Sequence, residues 1–178
     1  MADRIARFEK ISYNQFENDY KILVKYTTEF GEPDAKELYR DIKLPKRSTR
    51  GSAGYDFYSP IYFILSPGEE IVVPTGIRCK MDDGWMLMFA ARSGLGFKYY
   101  ARYANVLPII DTDYYFSDNE GHIILKIRNE SEDKVMIINR GDKFAQGIFI
   151  QYGITEDDDV DGIRNGGFGS TGRWLIRN

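Results

Sequence analysis

The sequence holds one cysteine, Cys79, and one histidine, His122, among 178 residues. A single cysteine excludes an intrachain disulfide framework, and one histidine beside one cysteine excludes the usual zinc clusters. The same scarcity removes Ser-His-Asp and Cys-His centres unless His122 is placed for one, and nothing near it in sequence supports that. Basic charge is not in excess either: 24 Lys and Arg stand against 27 Asp and Glu, for a net charge of -3. A chain without a concentrated basic face lacks the footprint of a nucleic-acid binder. No apolar run reaches the roughly 18 residues of a membrane helix, and the N-terminus lacks a signal-peptide core. These absences give the expectation of a cytoplasmic protein with neither nucleic acid nor membrane as partner. A polyphosphate ligand would have to be met by a few placed Arg and Lys side chains. Cys79, within the apolar stretch Thr75-Gly-Ile-Arg-Cys-Lys-Met81, reads as a buried thiol and not a nucleophile.

Strand-like material is plentiful. From Gly51 onward, short runs rich in Val, Ile, Tyr and Phe alternate with Gly, Pro, Asp and Asn. Ile61–Leu65 stops at Ser66-Pro-Gly68, Ile71–Val73 at Pro74, and Trp85–Phe89 follows Asp82-Asp-Gly84. Further runs cover His122–Ile127, Lys134–Ile138 and Phe144–Tyr152. Strands this short and this closely spaced imply an all-β sandwich, jelly roll or barrel. Ahead of them, Ile5–Ile11 predicts a strand followed by a short helix. Residues 33–40 read as one or two helical turns with acids early and Arg40 late, as the helix dipole prefers. The length fits one β domain over residues 1–160, with no role assignable to residues 1–40, followed by a Gly-rich arm over 161–178; the tail turns acidic from Glu156.

Five segments carry candidate chemistry. In Ser52-Ala-Gly-Tyr-Asp-Phe57, Asp56 is either an exposed turn acid or the holder of a water on a divalent cation. Arg92-Ser-Gly-Leu-Gly-Phe-Lys98 puts a Ser-Gly turn at a helix start, where free N–H groups and a hydroxyl suit phosphate oxygens. Arg92 and Lys98 add charge there. The segment lacks the Gly-Lys-Ser/Thr ending of a Walker A loop. In Asn105-Val-Leu-Pro-Ile-Ile-Asp-Thr-Asp-Tyr114 an apolar strand enters a hairpin. Its acids are either solvated turn residues or include a general base, Asp111, with Tyr114 as a platform for a sugar or base. Arg140-Gly-Asp-Lys-Phe-Ala-Gln146 is a surface turn feeding a strand, from which Gln146 can donate to a phosphate. Arg164-Asn-Gly-Gly-Phe-Gly-Ser-Thr-Gly172 sets one aromatic among glycines, so Phe168 can stack on a base while backbone N–H groups approach phosphates.

In this order the five segments resemble the five motifs of the homotrimeric dUTPase family, over roughly residues 46–172. The resemblance implies a dUTPase-like jelly roll or distorted β-barrel with one or two short helices and a flexible C-terminal arm. It further implies hydrolysis of dUTP to dUMP and pyrophosphate, by water attack on the α-phosphate, in a homotrimer whose sites are shared between subunits. Asp56 would hold Mg2+ through water. Arg92, Ser93 and Gly94 would grip the phosphates, with Arg92 near the scissile bond. Asn105, Ile109, Ile110, Asp111 and Tyr114 would form the uracil hairpin, with Asp111 as base for the attacking water and Tyr114 beneath the deoxyribose. Gln146 would face the phosphates and Arg164 the γ-phosphate. Phe168 would cover the uracil, and Gly169, Ser170 and Thr171 would complete the cradle. The chain departs from the family pattern at Pro108 and at Tyr115-Phe116, where glycines are usual. Two other readings stay open: a dCTP deaminase of the same fold, or a nucleotide-gated binding protein. In the second, a protein partner would dock on the N-terminal segment or the 115–121 loop.

Overall fold

The computed structural model describes residues 3–23 and 34–162. In chain order its elements are β1 (Ala6–Lys10), α1 (Tyr13–Leu23), α2 (Ala35–Asp41), β2 (Lys46–Arg47), β3 (Tyr55–Tyr58), β4 (Phe63–Leu65), β5 (Glu70–Pro74), β6 (Ile77–Met81), β7 (Trp85–Ala91), α3 (Ser93–Tyr99), β8 (Arg102–Tyr103), β9 (Ile109–Ile110), a 3-10 turn (Thr112–Phe116), β10 (Ile124–Arg128), β11 (Met136–Ile138) and β12 (Lys143–Gln151). The described chain is mostly β, as its strand punctuation implies, with three short helices where one or two were expected.

Each helix has a local cause. Ser12 caps α1 by accepting from the Gln15 N–H, and Phe16 and Tyr20, four residues apart, form its buried face. Asp34 caps α2 by accepting from the Lys36 N–H, and Ala35 and Leu38 face inward. The third helix follows β7 after one extended residue, Arg92, at its N-cap. Strand alternation sets the rest: in β7, Leu87 and Phe89 are fully buried, and in β10, Leu125 and Ile127 are.

The largest sheet has the order β2-β3-β12-β7-β9, and three smaller sheets are β5-β10-β8, β11-β4 and β1-β6, with every pair antiparallel. Phe57 and Phe89 meet edge to face in the core at 4.8 Å between ring centres, and Phe8 of β1 packs on Phe57 at 5.4 Å. Residues 3–23 are thus packed on the folded body. Cys79 is buried on β6, and burial, with Glu9 nearby, pushes its thiol up to about 12, as an inert core residue requires.

Candidate active site

Strand register brings three of the five segments together. Gln146 on β12 lies opposite Asp56 on β3 and opposite Ala90 on β7. Directly opposed residues put their side chains on one face. Arg92, two residues past Ala90, extends from the same end of β7. Asp56 is buried, at 6% exposure, so it is not the exposed turn acid that its segment alone allowed. Its Oδ1 pairs with Arg92 Nε at 2.9 Å. Its Oδ2 takes Lys143 Nζ at 2.8 Å and the Ser48 hydroxyl at 2.6 Å. Lys143 also donates to Ser48 Oγ at 2.9 Å, which closes a small network. Burial by itself raises the Asp56 pKa, but the bonds from Lys143 and Ser48 and the charge of Arg92 outweigh it and hold the carboxyl below its ordinary value.

Gly54 leaves room for Gln146. A Cβ on Gly54 would stand 2.7 Å from Gln146 Oε1, so any side chain here would push the end of the Gln146 side chain from its place. The Gln146 amide donates to the Ala91 carbonyl at 3.3 Å, a long bond. On the other side of Arg92, Ser93 and Gly94 are exposed at the start of α3. As the first residues of a helix their N–H groups have no intrahelical acceptor.

The hairpin segment lies on the far edge of the same sheet. Ile109 and Ile110 of β9 pair with Met88 and Leu87 of β7, and the Phe89 N–H donates to the Pro108 carbonyl at 2.9 Å. Pro108 therefore enters the ladder as an acceptor, the role open to proline on an edge strand. The expected hairpin strand is only two residues long, and Thr112–Phe116 turns into a 3-10 helix instead. Asp111 precedes that turn and is partly exposed, while Asn105 is exposed. Tyr114 is buried, at 6% exposure, and its hydroxyl donates to the His122 carbonyl at 2.9 Å.

The register also separates these groups. Continuing β9, Asp111 falls opposite Met86, and the extended chain from Met86 to Arg92 spans on the order of 20 Å. Within one chain, the structure brings Asp56, Arg92 and Gln146 together and leaves Asp111 and Tyr114 apart from them. The positions read from the last segment (Arg164, Phe168, Gly169, Ser170 and Thr171) lie outside the described residues. Sequence reasoning missed Ser48 and Lys143, which complete the Asp56 network. Their only signal was position: Lys143 lies inside the fourth segment and Ser48 just before the first.

The dUTPase family model matches residues 40–173. A deoxyuridine 5'-triphosphate nucleotidohydrolase from Lactococcus lactis is 38% identical over 134 residues, covering 74% of this chain and 89% of the relative. The crystal structure of dUTPase from Streptococcus mutans superposes with a TM-score of 0.59 at 28% identity, covering 84% of this chain and 98% of that one. At 19% identity and a TM-score of 0.59, a variant dUTPase of phage phi11 of S. aureus shares the fold over 91% of this chain and all of that one; its structure concerns coordination of a structural Mg(II) ion. With a family match over most of its length and a close curated relative, this chain belongs to the dUTPase family.

Proposed function

We infer that this chain hydrolyses dUTP to dUMP and pyrophosphate. The observation that carries the reading is the buried Asp56 network, which holds two cations, Arg92 and Lys143, on one sheet face beside Gln146. Family membership supplies the substrate. Two cations and a helix start suit a polyphosphate, and a single buried carboxylate among them suits a bridging metal.

Among the described residues, no three His, Cys, Asp or Glu side chains come together as a metal cage. The donor set fits Mg2+ in one way: Asp56 Oδ1, which takes one bond from Arg92 and keeps acceptor capacity, would hold a metal-bound water, and phosphates and water would supply the inner ligands. When bound, the cation would neutralise charge developing on the phosphate oxygens.

In the mechanism, a water oxygen attacks the α-phosphorus, the bond to the bridging oxygen breaks and pyrophosphate leaves. Asp111 orients that water and takes its proton. Arg92 stabilises charge at the breaking bond, while Ser93, Gly94 and Gln146 hold phosphate oxygens. Asn105, Ile109 and Ile110 present backbone groups to the uracil edge, where cytosine would leave donors and acceptors unpaired. Tyr114 lies under the deoxyribose. Arg164 meets the γ-phosphate, Phe168 covers the base, and Gly169, Ser170 and Thr171 complete the cradle.

A base must come within hydrogen-bond reach of the water it activates. The span of on the order of 20 Å between Asp111 and Arg92 in one chain supports sites shared between copies, which fits the homotrimer that the family resemblance implies, with one subunit's hairpin facing another's Asp56 network. No described helix is long and apolar enough to cross a membrane. The single buried cysteine fits a reducing cytoplasm. Pyrophosphate release across the deoxynucleoside triphosphates, with and without Mg2+, tests the function. The expected result is turnover of dUTP well above the others and dependence on the metal; equal turnover of all, or ammonia release from dCTP, would contradict it.

A further inference from the structure

Residues 3–23 precede the family match, yet they hold the segment that follows Asp111 at three points. The Tyr115 hydroxyl donates to Glu9 Oε2 at 2.8 Å, with the Arg78 guanidinium over the Tyr115 ring at 4.5 Å. The Glu120 carboxylate accepts from the Ser12 N–H and hydroxyl, both at 2.7 Å. Asp19 of α1 meets the ring of His122, whose side chain is fully buried, at 2.5 Å.

The third contact reaches the sugar subsite. The Gly76 N–H donates to His122 Nε2 at 2.8 Å, so that nitrogen is the acceptor and Nδ1 carries the proton it gives to Asp19. At its other end, the His122 carbonyl accepts the Tyr114 hydroxyl at 2.9 Å and the Asn119 amide at 3.3 Å, and Asn119 also donates to the Tyr114 oxygen at 2.9 Å. The ring of His122 is thus fixed by α1 while its backbone fixes Tyr114. Gly121 beside it has φ of +71°, and a Cβ there would lie 2.7 Å from the Tyr115 Cα, so the turn has one arrangement. Phe16 and Tyr20 already seat α1 on the body by apolar burial.

We propose that Asp19 is a positioning residue for deoxyribose recognition: through His122 it sets the placement of Tyr114, so the N-terminal helix tunes the choice of dUTP over UTP. The inference rests on Tyr114 lying under the sugar, as read above.

The test measures kcat and KM for dUTP and UTP with the full chain and its Asp19→Ala and Asp19→Asn variants, alongside thermal melts. In Asp19→Ala the ratio of kcat/KM for dUTP over UTP falls about tenfold, the scale of one lost buried hydrogen bond, through KM more than kcat. Asp19→Asn, whose amide oxygen still accepts from Nδ1–H, recovers most of the ratio. A lowered melting temperature with unchanged KM and ratio would make Asp19 merely structural and overturn the proposal. If Asp19→Ala does not fold, Glu120→Gln, which loosens a second anchor of the same segment, must lower the ratio in the same direction, and an unchanged ratio overturns the proposal equally. A wild-type chain that turns over dUTP and UTP alike would instead sink the reading of Tyr114 on which the proposal stands.

Discussion

The network around Asp56 pairs one buried carboxylate with two cations, whereas the segment that follows Asp111 is held by carboxylates bonded to uncharged partners, Asp19 to His122, Glu120 to Ser12 and Glu9 to Tyr115, together with packed rings and a helix from the N-terminal segment. The first end is poised electrostatically: Arg92 and Lys143 share one buried carboxylate, and an incoming anion can compete for them. The second end is poised in shape, with Tyr114 and His122 fixed by partners that do not change charge when a nucleotide arrives. On the proposed roles, phosphate recognition and sugar recognition would use different physics at two places on one sheet.

Substitutions at the two ends should fail differently. The largest effect is expected at the hairpin: Asp111→Asn loses on the order of a thousandfold in kcat, the scale of a general base, while a non-hydrolysable dUTP analogue still binds by calorimetry. Full activity in that variant would remove Asp111 as the base. At the charged end, Arg92→Ala should lower kcat/KM by roughly a hundredfold, because it removes charge stabilisation and leaves Asp56 paired with Lys143 alone. Steady-state pyrophosphate release measures it, and a loss confined to the melting temperature would assign Arg92 a structural role. Gly54→Ala should have a smaller effect, raising KM for dUTP several-fold with little change in unfolding, because its Cβ displaces the flexible end of Gln146. Wild-type KM in that variant would show that Gln146 does not meet the ligand.

The smallest effect is on the pH dependence of stability. Asp56 is held below its ordinary value, so its contribution is complete above the unfolded value near 4 and is lost as the pH falls through the lower folded value. Asp19 is also lowered: its burial, which opposes ionisation, is outweighed by bonds from His122 and Gln15, and its contribution disappears over the same acid range. Asp56→Asn should therefore flatten the acid limb of a denaturant-midpoint titration without steepening it elsewhere. An unchanged limb would mean that the network adds no net stability.

Much of this contrast could be read from residue order. Strands such as β7 and β12 are long enough for alternation to mark them, and the glycines and acids of the first four segments mark the turns that carry Asp56, Arg92, Asp111 and Gln146. Local pattern could not supply register. Lys143 and Ser48 join Asp56 only because β12, β3 and the residues after β2 pair as they do. Strands of two residues, such as β8 and β9, are too short for any periodicity. His122 reads in sequence as the start of a strand that begins instead at Ile124, and its bond to Asp19 spans 103 positions. The N-terminal segment had no readable role for the same reason: Glu9, Ser12 and Asp19 find their partners 106, 108 and 103 positions downstream.

The central claim is that Asp111 and Arg92 of different copies meet in one site, and mixing two dead variants tests it most directly. Asp111→Asn and Arg92→Ala chains are refolded together in equal amounts and assayed for pyrophosphate release from dUTP. Random assembly in a symmetric oligomer restores about a quarter of wild-type activity if each site draws the two residues from different copies. If both residues belong to the same chain's site, no mixed assembly contains an intact one, and activity no greater than that of the separate variants would contradict the account.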